Sequence, residues 1–307
     1  MKTPVAVLIF NRPESTARVL EAVKRARPPM LMVVADGPRA DRSGESAQCA
    51  AARALVDKID WGCEVRKNYS DINLGCKRRI GSGLGWVFQN APEAIILEDD
   101  CLPHETFFPY CEALLERYRE DERVMHIGGN NFGIDEREFG PLSYGFSSFP
   151  QVWGWATWRR AWQHFDLTMS AWPSFRGNRG LSELPMRRSL RGRQIRRWED
   201  AYSNRVDTWD FQWHFAVMSR NGLATVPRRN LVSNMGFAPD ATHTRDMTSD
   251  KAGVPLRALE FPLTHPAFVR AQPALDDYFS TKMLGDSLAS RVLGKARRLL
   301  SNPRQES

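Results

Sequence analysis

Short apolar runs alternate with amphipathic segments along the first hundred residues. The runs at 5–10 and 30–35 are apolar throughout and predict buried strands. Between them, residues 14–27 place apolar side chains at helical spacing. A third unit begins at 64–66 and continues into a predicted helix over 77–88. Strands that alternate with helices in this way predict an α/β fold built on a parallel, right-handed, doubly wound sheet.

The fourth predicted strand ends in three acids. Residues 94–97 are apolar, and Glu98, Asp99 and Asp100, here called the acidic triplet, follow them directly. Open α/β sheets bind ligands outside the carboxyl ends of their strands. Oxygen-rich sites there suit Mg²⁺ or Mn²⁺. An exposed acidic turn is the ordinary alternative for such a tripeptide, so the assignment depends on the rest of the chain.

The pattern changes after the sheet-forming part of the chain. A helix is predicted over 107–120 and a further strand over 124–129. Five tryptophans then fall within 144–172, and arginine dominates 186–197. The mostly apolar stretch 208–218 predicts a buried helix with an acid near its start.

Composition narrows the class of protein without identifying it. The 307 residues are 42% hydrophobic and 26% charged, which is typical of folded globular domains. A net charge of +7 favours an anionic partner, such as a nucleotide, nucleic acid or a membrane surface. Five cysteines without a Cys-x-x-Cys pair favour reduced thiols. With no secretory signal pattern and no apolar run long enough to span a bilayer, we expect a cytoplasmic protein.

Polar residues follow several of the predicted strands and should meet in one crevice. Asn11 and Arg12 follow the first strand, Asp36 the second, and the turn 73–75 with Lys77 the third. We expect these residues to contact a substrate beside the acidic triplet. The chain has no Gly-x-Gly-x-x-Gly after its first strand and no Gly-x-x-x-x-Gly-Lys-Ser/Thr, which argues against dinucleotide and P-loop folds. Asp36 in an Asp-Gly-Pro sequence is also typical of an ordinary turn.

An ordered set of motifs carries a family resemblance. In chain order they are residues 4–13, 35–37, 73–75, 96–100, 152–155, 209–210 and 234–237. This set resembles the nucleotide-diphospho-sugar glycosyltransferases of the GT-A (Rossmann-like) fold. The sequence is also similar to glycosyltransferase family 2. It is similar in particular to bacterial relatives of N-acetylglucosaminyltransferase I and protein O-linked-mannose N-acetylglucosaminyltransferase.

The resemblance implies roles on the donor side. Asp100 would ligate Mn²⁺ or Mg²⁺ bridging the diphosphate of the donor. Asp99 would bind the ribose, and Glu98 the donor sugar. Arg12 and Asp36 would form the uridine pocket. A divalent ion there would neutralise the charge that builds on the departing diphosphate.

The resemblance also implies a catalytic base. It makes Asp210 the residue that deprotonates the acceptor hydroxyl, a contribution of about 10²- to 10⁴-fold. A single base opposite the leaving group implies inversion at the anomeric carbon. The alternative for Asp210 is an acid that only offsets a helix dipole. Asp207 nearby and Asp166 further away are competing candidates for the base.

Two tryptophans and a glycine are expected at the substrate. Trp153 and Trp155 flank Gly154, where close backbone approach suggests a pocket wall. Trp158 and Trp162, at i and i+4, are predicted to form one packed helix face.

Late and basic segments allow two interpretations each. His243 lies where GT-A enzymes return a residue to the metal or diphosphate, and a loop histidine without a role is the alternative. The arginines of 186–197 are either a solvated face or a site for a phosphorylated acceptor such as a lipid-linked glycan. The basic amphipathic helix predicted over 287–300 suggests peripheral contact with the inner face of a membrane.

Together these patterns predict a GT-A α/β fold, a mostly parallel central sheet flanked by helices, with an acceptor-side subregion. Residues 1–130 would bind the nucleotide sugar, 131–250 would form the acceptor and catalytic half, and 251–307 a C-terminal extension. The expected reaction is metal-dependent, inverting transfer of a sugar, such as GlcNAc, from a UDP-sugar to a hydroxyl of a glycan, lipid-linked or protein acceptor. The expected pathway is cell-surface glycan biosynthesis, without a nucleic-acid partner.

Two other classes compete with this hypothesis. A nucleotidyltransferase that makes an activated sugar would ordinarily need a glycine-rich phosphate loop after its first strand, and residues 11–14 do not resemble one. A non-enzymatic basic protein that binds nucleic acid or membrane would leave the buried-strand acids unexplained.

Overall fold

The computed structural model describes residues 1–178, 181–236 and 254–285. Its strands are β1 (Val5–Ile9), β2 (Met30–Ala35), β3 (Glu64–Tyr69), β4 (Glu93–Glu98), β5 (Cys101–Pro103), β6 (Val124–Gly128), β7 (Tyr144–Ser147), β8 (Trp155–Trp158), β9 (Leu223–Pro227) and β10 (Val232–Asn234). Its helices are α1 (Pro13–Ala26), α2 (Glu45–Val56), α3 (Cys76–Asn90), α4 (Phe107–Arg117), α5 (Arg159–Trp162), α6 (Trp172–Gly177), α7 (Arg188–Tyr202), α8 (Asp210–Met218) and α9 (Pro273–Leu284), with a 3₁₀ turn at Glu136–Phe139.

One large sheet organises the molecule. Its strand order is β3-β2-β1-β4-β8-β6-β9-β7. Neighbours from β3 to β4 are parallel, as are β6 and β9, whereas β8 and β7 run against their neighbours. The predicted α/β fold with a mostly parallel central sheet flanked by helices is confirmed.

The strand register brings the expected polar residues to one edge. Leu8 in β1 pairs with Glu98 in β4, and Ile9 pairs with Ala35 in β2. Asp36 and the acidic triplet therefore leave the sheet beside the end of β1. The predicted crevice at the carboxyl ends of these strands is present.

Both faces of the sheet are buried. In β1, Val5, Val7 and Ile9 point into a core covered by α1 and α4, while Ala6 and Leu8 point into one covered by α3 and α8. This explains why the strands are continuous apolar runs rather than alternating ones. A third apolar cluster joins α6, α7, α8 and α9 on the side of the later chain.

The tryptophans divide between these cores in a way that corrects one prediction. Trp158 is the last residue of β8, and its indole donates to the carbonyl of Leu115 at 3.2 Å. Trp162 lies in α5 and packs in the opposite core, against Phe165. The prediction of one shared helix face is wrong, because α5 begins only at Arg159, after Trp158 has ended the strand.

Some further expectations concern the whole chain. All five cysteines are free thiols. Within the described ranges, every helix falls short of the length and apolarity needed to cross a bilayer. His243 and the basic segment 287–300 lie outside the described residues. The division of the chain into three functional parts at residues 130 and 250 stays a prediction.

Trp155 offers a test of the core. It is fully buried, with its ring 4.9 Å from His126 and 5.7 Å from Trp209 and Trp213. We expect Trp155→Ala to lower the free energy of unfolding by about 3–5 kcal/mol, measured by urea denaturation. The control Phe268→Ala, at a side chain that is 74% exposed, should change it by less than about 0.5 kcal/mol. Equal effects would contradict the core assignment.

Candidate active site

A cavity of about 400 Å³ opens at the carboxyl ends of β1, β2 and β4. Its polar lining comes from two distant parts of the chain. The early part contributes Arg12, Asp36, Arg39, Asn73, Arg79 and the acidic triplet. The later part contributes Asp207, Thr208, Asp210 and Asn234, with Trp153 and Gly236. The site is therefore assembled where the end of the sheet meets the start of α8.

One guanidinium faces two acids of the triplet. Arg12 Nη1 donates to Asp99 Oδ1 at 3.1 Å and to Asp100 Oδ2 at 2.6 Å, and the Phe10 amide donates to Asp99 Oδ2 at 2.9 Å. Arg12 thus lines the cavity, and its guanidinium contacts the acids. The expected uridine contact stays a prediction.

The acids of the triplet nevertheless disfavour one another's ionised forms. Burial, and then the charges of Asp100 and Asp99, raise the pKa of Glu98 well above its usual range. Burial and the charge of Asp100 raise the pKa of Asp99 to about 7, against the opposing effect of Arg12. An added cation would relieve this repulsion, because it favours the ionised forms of the carboxyls.

Two side-chain oxygens here are candidate ligands for a Mg²⁺ or Mn²⁺ ion: Asp100 Oδ2, which accepts from Arg12, and Asn234 Oδ1, which accepts from the amide of Gly236 at 2.6 Å. A Cβ on Gly236 would lie 2.3 Å from Asp100 Oδ2 and 2.9 Å from Asn234 Oδ1, so only a glycine lets the backbone approach both oxygens this closely. Such oxygens are the ligands these ions prefer. Across the described ranges, no group of three or more His, Cys, Asp or Glu side chains converges as a metal site. Water or substrate phosphate would therefore complete the ligand set.

Asp36 organises the turn beside the cavity. Its Oδ1 accepts from the amides of Gly37 and Leu74 at 3.0 and 2.9 Å, and its Oδ2 from the amide of Gly75 at 3.1 Å and the side chain of Asn73 at 3.2 Å. Burial raises the pKa of Asp36, and the amide donors oppose that rise. Asp36 therefore holds the turn beside the cavity, and its expected contact with the uridine stays a prediction.

Three residues expected at the substrate point elsewhere. The side chain of Asn11 donates to Glu45 at 2.9 Å. The ammonium of Lys77 is buried and donates to Asn204 Oδ1 at 2.7 Å and to a carbonyl in the last turn of α7. Trp155 lies in the core behind Trp209. These expectations are corrected, because following a strand end or flanking a glycine does not fix the direction of a side chain.

Trp153 and Gly154 lie at the cavity or directly behind its wall, unlike Trp155. Trp153 lines the cavity and packs edge-to-face on Phe132, with ring centroids 4.8 Å apart. Gly154 has φ +64, and a Cβ there would lie 2.5 Å from Val232. Trp153 is thus positioned as a cavity wall, and Gly154 permits the close approach of β10 behind it.

Asp210 lies at the cavity and also begins a helix. It is the first residue of α8, accepts a hydrogen bond from the hydroxyl of Thr208, and contributes to raising the pKa of Glu98 through its charge. The two competing acids have other partners. Asp166 accepts from Thr168 and Ser170 in its own turn. Asp207 accepts from two amides at the start of α3.

Sequence reasoning missed two arginines of the cavity. Arg39 lies 5.6 Å from the ring centroid of Phe10 and pairs with Glu45. Arg79 is buried and its charge acts on Asp36. Both add positive charge on the side of β2. They lie three or more positions past a strand end, where spacing gives no signal.

Several solved structures share a distant likeness with the chain. No protein-family model and no curated protein sequence matches the chain. The galactosyltransferase LgtC is 10% identical with a TM-score of 0.36, each chain being 70% covered. Mouse xyloside xylosyltransferase 1 is 12% identical with a TM-score of 0.35, over 73% of this chain and 85% of that one.

A third solved structure has a different kind of activity. It is the 4-diphosphocytidyl-2C-methyl-D-erythritol synthase of Anaerococcus prevotii, which is 9% identical with a TM-score of 0.38, over 73% of this chain and 88% of that one. At these scores, the likenesses assign neither activity nor substrate.

The role of Asp36 can be tested on stability. Asp36→Asn replaces one acceptor oxygen with a donor that faces backbone amides, so we expect the free energy of unfolding to fall by about 1–3 kcal/mol. Urea denaturation measures the change. Asp41→Asn, at an exposed residue of the following loop, is the control and should be neutral. An unchanged stability for Asp36→Asn would show that its hydrogen bonds do not hold the turn.

Proposed function

We propose that this protein is a metal-dependent, inverting glycosyltransferase of the GT-A type that uses a UDP-sugar. One observation carries the proposal. The acidic triplet at the end of β4 and Asp210 at the start of α8 line the same cavity of about 400 Å³. The cavity therefore combines a cation-attracting group with a separate carboxylate that can act as a base.

The donor side would hold the metal and the diphosphate. Asp100, with Asn234 beside it, would bind Mn²⁺ or Mg²⁺, which supplies Lewis-acid neutralisation of the leaving group when bound. Arg12 would add a fixed positive charge next to it. Glu98 would bind the donor sugar and Asp99 the ribose. His243 is proposed as a further ligand of the metal or diphosphate.

The acceptor side would remove a proton. Asp210 would take the proton of the attacking hydroxyl, and the hydroxyl of Thr208 would orient its carboxylate. A base that acts opposite the leaving group gives inversion. Trp153 would form the wall against which a sugar ring packs.

The acceptor is proposed to be a glycan, lipid-linked or protein hydroxyl, with GlcNAc as the type of sugar transferred. Whether the acceptor carries a phosphate depends on which arginines of 186–197 can reach it. Arg187 already pairs with Asp277, and Arg193 donates to the carbonyl of Leu284. Arg188 and Arg196 are exposed and are the side chains available for a phosphorylated acceptor. We propose a cytoplasmic location, with peripheral membrane contact through 287–300.

A nucleotidyltransferase remains the competing enzyme class. The connection from β1 to α1, residues 10–12, contains no glycine, so it offers no glycine-rich phosphate loop. Release of pyrophosphate from a nucleoside triphosphate would favour that class, and release of UDP from a UDP-sugar would favour the proposal. A panel of nucleotide sugars separates the two and identifies the donor.

Metal-dependent nucleotide binding tests the donor side. We expect UDP to bind with Mn²⁺ and to bind much more weakly in EDTA, by calorimetric titration. Asp100→Ala should weaken binding with Mn²⁺ by about thirtyfold or more, because loss of a charged ligand costs about 2 kcal/mol or more. Asp57→Ala, at an exposed acid after α2, is the matched control. A UDP affinity that is the same with Mn²⁺ and with EDTA, or that is unchanged in Asp100→Ala, would refute the metal assignment.

The base can be tested separately from donor binding. Asp210→Asn should lower kcat by about 10²- to 10⁴-fold while the Kd for UDP stays within about threefold. The surface variant Asp60→Asn should leave both unchanged. A parallel loss of UDP affinity and kcat in Asp210→Asn would instead indicate a structural role at the start of α8.

A further inference from the structure

Four successive backbone amides beside the cavity are divided between two carboxylates. The amides belong to residues 74–77, here called the amide turn. Asp36 accepts from Leu74 and Gly75, as described above. Asp207 Oδ2 accepts from the amide of Cys76 and its Oδ1 from that of Lys77, each at 3.0 Å. One carboxylate comes from the end of β2 and the other from the connection between α7 and α8.

A second contact holds the same connection. Lys77 Nζ donates to the carbonyl of Ala201 at 3.2 Å and to Asn204 Oδ1 at 2.7 Å. The segment from Ala201 to Asp207 is therefore bound to the start of α3 at both of its ends. Lys77 takes part through its backbone and its side chain, which explains why its ammonium is buried away from the cavity.

The connection leads directly to the proposed base. Thr208 follows Asp207 and donates its hydroxyl to Asp210. Trp209 is 2% exposed and stacks on Trp155, with ring centroids 5.7 Å apart. A fixed carboxylate and a buried ring thus hold the backbone on the N-terminal side of Asp210.

The amide turn is shaped to receive this carboxylate. Gly75 has φ +79, and a Cβ there would lie 2.8 Å from Asp207 Oδ2. Glycine is needed for the left-handed backbone and for the space that Asp207 occupies. Two amides at the start of a 15-residue helix also favour a negative charge.

We propose that Asp207 is a positioning residue that holds Asp210 opposite the acidic triplet. It acts through the chain rather than on the substrate, by fixing the start of α8 to the amide turn that Asp36 also holds. This inference rests on the proposed function. Displacing a reacting group by about 1 Å can cost about 10²-fold in rate, so a lost hydrogen bond here should appear in kcat.

The experiment is a double-mutant cycle. Asp207→Asn should lower kcat by about ten- to hundredfold, with the Kd for UDP in Mn²⁺ and the KM for the donor within about threefold of wild type. Added to Asp210→Asn, it should have no further effect on kcat, because the base it positions is already gone. Asp166→Asn is the matched control, because that carboxylate also accepts from two backbone amides, but in its own turn and outside the cavity lining.

Three results would overturn the proposal. They are an unchanged kcat in Asp207→Asn, a loss of UDP affinity as large as the loss of kcat, and an undiminished effect of Asp207→Asn in the Asp210→Asn background. The second result would show that Asp207 only maintains the folded cavity.

Failure of the proposed function would be distinguishable. A wild-type protein that transfers sugar from no donor would overturn the glycosyltransferase assignment. The structural part of the inference is then decided by amide hydrogen exchange. In Asp207→Asn, exchange should accelerate at the amides of Cys76 and Lys77. It should also accelerate at the amide of Trp213, which donates to the carbonyl of Trp209 in the first turn of α8. Acceleration confined to Cys76 and Lys77 would show that Asp207 does not hold α8.

Discussion

The site depends on the three carboxyl groups that crowd together at the end of β4. Parallel pairing with β1 fixes the acidic triplet beside the chain that carries Arg12, whose guanidinium contacts Asp99 and Asp100. One such cation does not relieve the repulsion, since burial and neighbouring charge still raise the pKa of Glu98 and Asp99. Stability alone does not explain acids in this position, because burying like charges is costly. The proposed Mn²⁺ or Mg²⁺ ion would offset that cost.

The second half of the site is tied to the first through backbone amides. Asp36 and Asp207 accept from consecutive amides of the amide turn, although they lie far apart in the chain. The end of β2, the start of α3 and the start of α8 therefore form one unit. In this arrangement, the shape of the proposed donor pocket and the position of Asp210 depend on the same few hydrogen bonds.

The sheet and the location of the cavity could be predicted from the sequence because buried parallel strands are short apolar runs and their ends share one edge. The direction of individual side chains could not be predicted from the sequence. Lys77 follows a strand end but turns toward Asn204, and Trp155 differs from Trp153 only by two positions yet lies in the core. The contact of Asp207 with Lys77 joins residues 130 positions apart, and no local spacing encodes it.

Anomalous diffraction from crystals grown with UDP and Mn²⁺ would show directly whether Asp100 holds the metal. We predict one manganese peak in the cavity, bonded to a carboxylate oxygen of Asp100 and to the diphosphate. UDP bound in the cavity without manganese on Asp100, or manganese and UDP bound away from the acidic triplet, would contradict the proposed metal site.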